Sequence, residues 1–415
     1  MTRKGSDAMK SKLTAQEKKW VLYDVGNSAF ILLVTTIIPI YFNSLAKNGG
    51  LDAVQYLAYW GYAASAATLL VALSGPVLGA VSDWRGRKKP MFLCAALLGI
   101  LGCVLLGFMG GWLSFLCMFV LAKLGYSLSQ IFYDSMLSDV TEPARMDNVS
   151  SQGYAWGYIG SCVPFLLCLG LVLGSGALGL AMSTAMTLAF LITALWWLLC
   201  TLPLVRCYQQ SNYVTGHVHP FAQLWHTLQE IARDKKVFLF ILAFFFYIDG
   251  VYTIIDMATA YGTALGFDTT GLLLALLVTQ IVAFPSSLFI GRLSRTVDTG
   301  RLISVCVLAY CGIAIFAMFM STQAHFWVLA VVVGMFQGGV QALSRSHFAK
   351  IIPPEKSGEY FGLLDICGKG ASMLGTFTVS LVSQLSGSTS LGVGAIALFF
   401  VVGLVLFRSS LRARG

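Results

Sequence analysis

Apolar runs of about 20 residues, the length that crosses the hydrocarbon of a bilayer as a helix, recur twelve times along this chain of 415 residues. No other feature limits the fold so strongly. In lipid every backbone N–H and C=O must be satisfied inside the protein, and only helices and closed barrels achieve that. The runs cover residues 20–46, 56–82, 90–109, 112–133, 151–174 and 178–203, then 237–261, 270–290, 302–320, 326–348, 360–385 and 391–407. Charged residues make up 11% of the chain, against about 25% in a soluble domain. The expected fold is an all-α integral membrane protein with twelve transmembrane helices.

Lysine and arginine set the orientation. Of the 27, 24 fall in the N-terminal segment, in the loops after the even-numbered runs or their flanks, in the loop before the fifth run, or after residue 407. Lys47 alone lies on the opposite side, and Lys123 and Lys369 lie inside runs. By the positive-inside rule both termini are cytoplasmic, and the basic balance of +9 needs no nucleic acid to explain it. The expected divisions are a tail over 1–19, a six-helix bundle over 20–203, a cytoplasmic central loop over 204–236, a second six-helix bundle over 237–407 and a tail over 408–415. Inside the central loop Phe221, Leu224, Trp225, Leu228 and Ile231 share one helical face, which suits a plain linker helix or one lying in the membrane interface. His217, His219 and His226 have no metal-site spacing, the ten cysteines form no C-x-x-C, and no phosphate-binding loop of the G-x-x-x-x-G-K-[ST] kind occurs, so no cofactor or metal is expected.

Six runs on each side of one loop suggest a duplicated unit. Tyr23-Asp24-Val25-Gly26 is echoed by Tyr247-Ile248-Asp249-Gly250, and Gln130 and Gln341 each stand 13 residues before a proline.

The loop after the second run reads Gly79-Ala80-Val81-Ser82-Asp83-Trp84-Arg85-Gly86-Arg87-Lys88-Lys89. It resembles the G-x-x-x-D-[R-x]-G-R-[RK] signature of the major facilitator superfamily, which makes Gly79, Asp83, Arg85, Gly86 and Arg87 a candidate gating loop. The matching loop of the second half has Arg295 where Asp83 stands. Three further stretches resemble the vacuole-effluxer family within that superfamily. They are residues 20–30 (WVLYDVGNSAF), residues 246–254 (FYIDGVYTI), and Gln341-Ala342-Leu343-Ser344-Arg345-Ser346 with Pro353-Pro354-Glu355 and Phe361-Gly362-Leu363. The resemblance implies two pseudo-symmetric bundles in the major facilitator fold, a secondary transporter and amino-acid export.

Polar residues inside the runs form stripes independently of any family. Lys123, Ser127, Gln130 and Asp134 follow helical spacing in the fourth run, as do Gln337, Gln341 and Arg345 in the tenth and Asp365, Lys369, Ser372 and Thr376 in the eleventh. Asp24 and Asn27 add to them in the first run and Gln280 in the eighth. Such stripes line a wet cavity between bundles. Asp249 and Asp256 lie seven residues apart and share a helical face, and a carboxylate at the bilayer centre costs roughly 2.5–3.5 kcal/mol on insertion scales. Asp249, nearest the midplane, is the preferred functional acid, with a salt bridge to Lys123 or Lys369 or simple hydrogen bonding to the facing half as its structural alternatives, and Asp256 is a partner or an outer gate. Asp365 and Lys369 are either a self-neutralising helix pair or a substrate contact. Asp24, Asp134 and Arg345 sit near the cytoplasmic ends of their helices, where gating or helix-end pairing is expected.

The expected protein is a monomeric secondary transporter of the plasma or inner membrane, moving a small polar or zwitterionic solute by alternating access with protons as the coupling ion. Export of a drug-like or lipid-like amphiphile is the second reading, and a non-transporting receptor or scaffold the third. No nucleophile–base grouping points to an enzyme.

Overall fold

A computed structural model describes residues 12–215 and 220–413, without the side chains of residues 40, 53, 54, 57, 259, 260, 263, 264, 269, 270, 273 and 369–373. His217 and His219, and the Lys369 and Ser372 side chains, lie outside the described residues. Twelve long helices are found among the described residues: α1 Ala15–Asn48, α2 Ala53–Ser82, α3 Lys88–Leu106, α4 Trp112–Ser135, α5 Met146–Leu173, α6 Met182–Cys207, α7 Lys235–Ala264, α8 Thr269–Leu293, α9 Thr299–Met318, α10 Gln323–Ile351, α11 Ser357–Ser386 and α12 Thr389–Arg412. Eleven of these have a stretch long and apolar enough to cross a membrane. The remaining one, α11, has 30 residues and packs among the others against α2, α7 and α12.

Helix ends differ from the apolar runs where a cap or a neighbour intervenes. Thr14 and Glu17 form a reciprocal capping box, so α1 starts at Ala15, five residues before the apolar run begins. Asp52 and Gln55 do the same for α2. In α6 the helix continues past Pro203 to Cys207 instead of ending there. Gly86, at φ 73°, supplies the left-handed residue in the tight turn between α2 and α3.

A like hydrogen bond joins α1 to α4 and α7 to α10. Tyr23 of α1 donates to Ser129 of α4 at 2.6 Å, and Tyr247 of α7 bonds Ser344 of α10 at 2.7 Å. This pairing sets Ser129 opposite Ser344, and hence Gln130 opposite Arg345 rather than Gln341. It likewise sets Asp24 opposite Ile248, not Asp249. The two halves meet along a seam where α2 packs on α11, α5 on α8 and α10, and α4 on α11.

The connection between the halves holds a surface helix, Pro220–Arg233. Phe221, Trp225 and Leu228 on it are exposed, whereas Gln223, Thr227 and Ile231 turn inward. The five apolar residues thus do not act as one face: Ile231 goes to the protein and a polar pair, Gln223 and Thr227, accompanies it.

Candidate functional site

The cavity between the halves has a volume of about 400 Å³, within the range of small-molecule sites. Its walls bring together Asp24, Asn27, Gln130, Asp134, Asp256, Gln280, Gln337, Gln341, Arg345 and Asp365 from six helices of both halves. Asn27 donates to Gln130 Oε1 at 3.1 Å, and the Tyr158 hydroxyl donates to Gln341 Oε1 at 3.3 Å across the seam. Apolar and aromatic groups fill the rest, chiefly Tyr126, Tyr154, Tyr252, Phe244 and Phe361.

Arg345 closes one end. Its guanidinium donates to Asp134 Oδ1 at 2.9 Å and to Asp24 Oδ2 at 3.4 Å, both in the first half. It also donates to the Ser150 hydroxyl at 2.9 Å and the Ser150 carbonyl at 3.1 Å. Three rings surround it, Tyr154 at 4.4 Å, Trp20 at 4.7 Å and Tyr133 at 5.5 Å. A planar cation with five donors is the side chain that can satisfy all of these at once. Gly153 makes room for the group, since a Cβ there would lie 2.5 Å from Asp24 Oδ2. Helical stripes point to these three residues separately; their meeting is a property of the fold.

Two more layers seal the same end. Asp147, in the first turn of α5, receives Ser346 at 2.6 Å, Thr299 at 2.6 Å and the Lys350 ammonium at 2.6 Å, and Ser150 donates to the Ala342 carbonyl at 2.7 Å. At the start of α11, Asp83 accepts from the Gly358 and Glu359 N–H groups at 2.8 and 2.9 Å, as a carboxylate at a helix N-terminus does. Lys88, fully buried, lies 3.2 Å from Asp83 and donates to Ser357 at 2.8 Å. Burial pushes the Asp83 carboxyl above its ordinary value, against the pull of Lys88 and the two N–H groups. Gly79 and Gly358 let α2 and α11 touch there, a Cβ on Gly79 falling 2.3 Å from the Gly358 carbonyl oxygen. Of the gating-loop residues, Arg87 precedes α3 with no capping side chain, and Arg85 lies over the Tyr213 ring at 5.4 Å.

The chain between α6 and the surface helix is laced onto this closure. Tyr208 donates to Asp139, which also receives Ser211 and the Asn212 N–H, each at 2.8 Å. Val214 N–H donates to the Asp83 carbonyl at 2.8 Å. Gln223 of the surface helix donates to the buried Glu359 at 3.0 Å. Sequence reading missed Lys88, Asp139, Asp147 and Glu359 as parts of the closure. Each stands at or beside a helix end, where a charge reads as a loop residue.

Asp249 is placed elsewhere. It is fully buried against α11, its Oδ1 accepting from the Gly375 N–H at 3.0 Å and the Thr253 hydroxyl at 3.2 Å. Asp256 is exposed toward the cavity, with Lys123 as the cation acting on it. The shared helical face of the two acids is real, but α11 stands opposite the first and open space opposite the second. Lys123 itself lies over the Phe119 ring at 5.8 Å and does not line the cavity.

Comparison with known proteins agrees with this architecture. The model of the vacuole effluxer Atg22-like family matches residues 138–415. The MFS-type transporter YxiO of Bacillus subtilis is 39% identical over 407 residues, covering 96% of this chain and 95% of that protein. Autophagy-related protein 22 of Cryptococcus neoformans is 26% identical over 302 residues, which is 66% of this chain and 53% of that protein. Among solved structures, the major facilitator transporter FucP in its outward conformation aligns with TM-score 0.73 at 14% identity, covering 96% of this chain and 98% of that one. The human organic anion transporter MFSD10 aligns with TM-score 0.70 at 15% identity, over 94% and 99%. YxiO and both of these solved structures are described as transporters. With the family model covering well over half of its length and a relative matching it nearly end to end, the chain belongs to the vacuole effluxer Atg22-like family of major facilitator transporters.

Proposed function

We propose that this transporter exports amino acids or similar small zwitterions, using the cavity between the halves as an alternating-access site with twelve spans, both termini in the cytoplasm and the basic end as the cytoplasmic end. The observation that carries the reading is Asp256: a carboxylate open to a cavity of about 400 Å³ whose other charged end, Arg345, is already engaged by two acids. An ammonium group can meet Asp256, glutamine amides can meet a carboxylate, and the tyrosines and Phe244 offer a wall for an apolar side chain. In this reading the structure is the outward-facing state, and Asp256 exchanges a proton for substrate as access switches. The protein acts as a monomer in the cell membrane.

The test is counterflow of labelled amino acids in proteoliposomes with an imposed pH gradient. Wild type is expected to accumulate aliphatic and aromatic amino acids, faster with the gradient, and Asp256→Asn to lose the gradient dependence and at least tenfold of the flux. Gradient-driven flux unchanged in Asp256→Asn would remove Asp256 from the coupling. Competition by amphiphilic cations but not by any amino acid would favour the drug-exporter reading instead.

A further inference from the structure

A second cavity, of about 510 Å³, opens at the basic end between α5 of the first half and α8 of the second, lined by Asn148, Gln152, Trp156, Leu288, Arg292 and Arg295. No carboxylate is among the described residues that line it. Arg295 donates to Asn148 Oδ1 at 3.2 Å, which holds that guanidinium at the rim while its other N–H groups remain available. Arg292, in the last turn of α8, and Arg295, in the turn that follows the helix, are both exposed. Two forked cations beside two side-chain amides are the chemistry that binds a phosphate ester.

The acids next to these residues in sequence are engaged elsewhere: Asp147 is taken up by Ser346, Thr299 and Lys350, and Asp298 caps α9 by accepting the Arg301 N–H. The arginine at position 295 thereby gains an explanation that gating does not give. Where Asp83 in the first half accepts N–H groups from the start of α11, Arg295 in the second half meets an amide near the start of α5 and turns a positive rim toward the seam.

The surroundings decide between a free anion and a lipid. Trp156, Val163 and Leu167 recur at one face of α5 and are exposed, and Ile281 and Leu288 lie seven residues apart on α8, with Ile281 exposed and Phe289 exposed next to Leu288. Trp156 packs edge-on to Phe284 of α8 at 5.2 Å, so the two helices are held together beneath the cations. Two arginines over apolar rails, at the membrane face where the basic loops gather, match an anionic headgroup with acyl chains.

We propose that this cavity binds the phosphate headgroup of an anionic phospholipid from the leaflet at the basic end, with the acyl chains lying along the α5–α8 seam. Because α5 and α8 belong to different halves, the lipid would bridge them. The test compares the thermal midpoint of the purified full chain in detergent with added phosphatidylglycerol, phosphatidylcholine or inorganic phosphate. Phosphatidylglycerol is expected to raise the midpoint of wild type and of the charge-matched control R408Q/R412Q. For R292Q/R295Q its apparent affinity should fall about thirtyfold, the factor that corresponds to about 1 kcal/mol for each of two arginines. Phosphatidylcholine and inorganic phosphate should do little in any of the three. An undiminished phosphatidylglycerol effect in R292Q/R295Q overturns the site, as does an equal loss in R408Q/R412Q. Inorganic phosphate reproducing the full shift overturns the lipid assignment in favour of a soluble anion. Should R292Q/R295Q fail to fold, R292Q alone is compared with wild type by native mass spectrometry, and equal retention of phosphatidylglycerol overturns the proposal.

Discussion

Arg345→Gln is expected to destabilise the protein by about 3 kcal/mol and to open the basic end of the cavity. Removing one member of a buried ion pair costs about 3–5 kcal/mol, because the remaining charge stays buried without its partner. Asp24 is nearly buried, whereas the Asp134 side chain is 25% exposed and can rehydrate, which puts the effect at the lower end of that range. The three rings around the guanidinium also lose a cation. Chemical unfolding in detergent measures the first effect. The second is read by labelling a cysteine introduced at Ser28, on the cavity wall, with an impermeant thiol reagent applied from the basic side. Labelling should rise at least fivefold over the parent carrying Arg345. Arg345→Lys should recover charge but not the forked geometry and fall between the two. Unchanged labelling in Arg345→Gln would mean that Arg345 does not hold the end shut.

Gly79→Val should abolish closure by a different route, with charge untouched. The atoms that a Cβ would meet are the Gly358 carbonyl oxygen at 2.3 Å and its carbon at 2.7 Å, both backbone, so no rotamer change relieves the clash. Overpacking of this kind costs about 1–3 kcal/mol. Here that amount is charged only to the state in which α2 touches α11. Transport is expected to fall at least tenfold while the protein still folds, because the state open at the basic end does not need the contact. The same thiol assay should show the cavity reachable from the basic side. Wild-type flux in Gly79→Val would show that the helices need not approach so closely during turnover.

Much of the fold was legible in the sequence because its causes are local. Twelve apolar runs became long helices, eleven of them with a stretch long and apolar enough to cross a membrane, since run length and backbone satisfaction are properties of each segment alone. The stripes on the fourth, tenth and eleventh runs pointed to a cavity, and Gln130, Asp134, Gln337, Gln341, Arg345 and Asp365 do line one. What could not be read was which helix stands opposite which. Asp249 and Asp256 carry the same spacing signal, yet Gly375 of α11 approaches the first closely enough to donate its N–H. The absence of a side chain at residue 375 is visible in the sequence; its being placed against residue 249 is not. The echo of Tyr23-Asp24 in the seventh run carries an offset of the same consequence: Tyr23 and Tyr247 make like hydrogen bonds to serines, and the acid that follows stands one residue later in the seventh run, a turn of about 100° around the helix.

The lacing of the connection onto the closure has a geometric consequence. Val214 is tied to Asp83 in the first half, and Gln223 ties the surface helix, which starts at Pro220, to Glu359 in the second. Between Val214 and Pro220 lie only six residue steps, and a chain spans at most about 3.6 Å per residue, or roughly 20 Å in all. While both ties hold, the connection is a leash of fixed length, and it sets an upper bound on how wide the mouth at the basic end can swing.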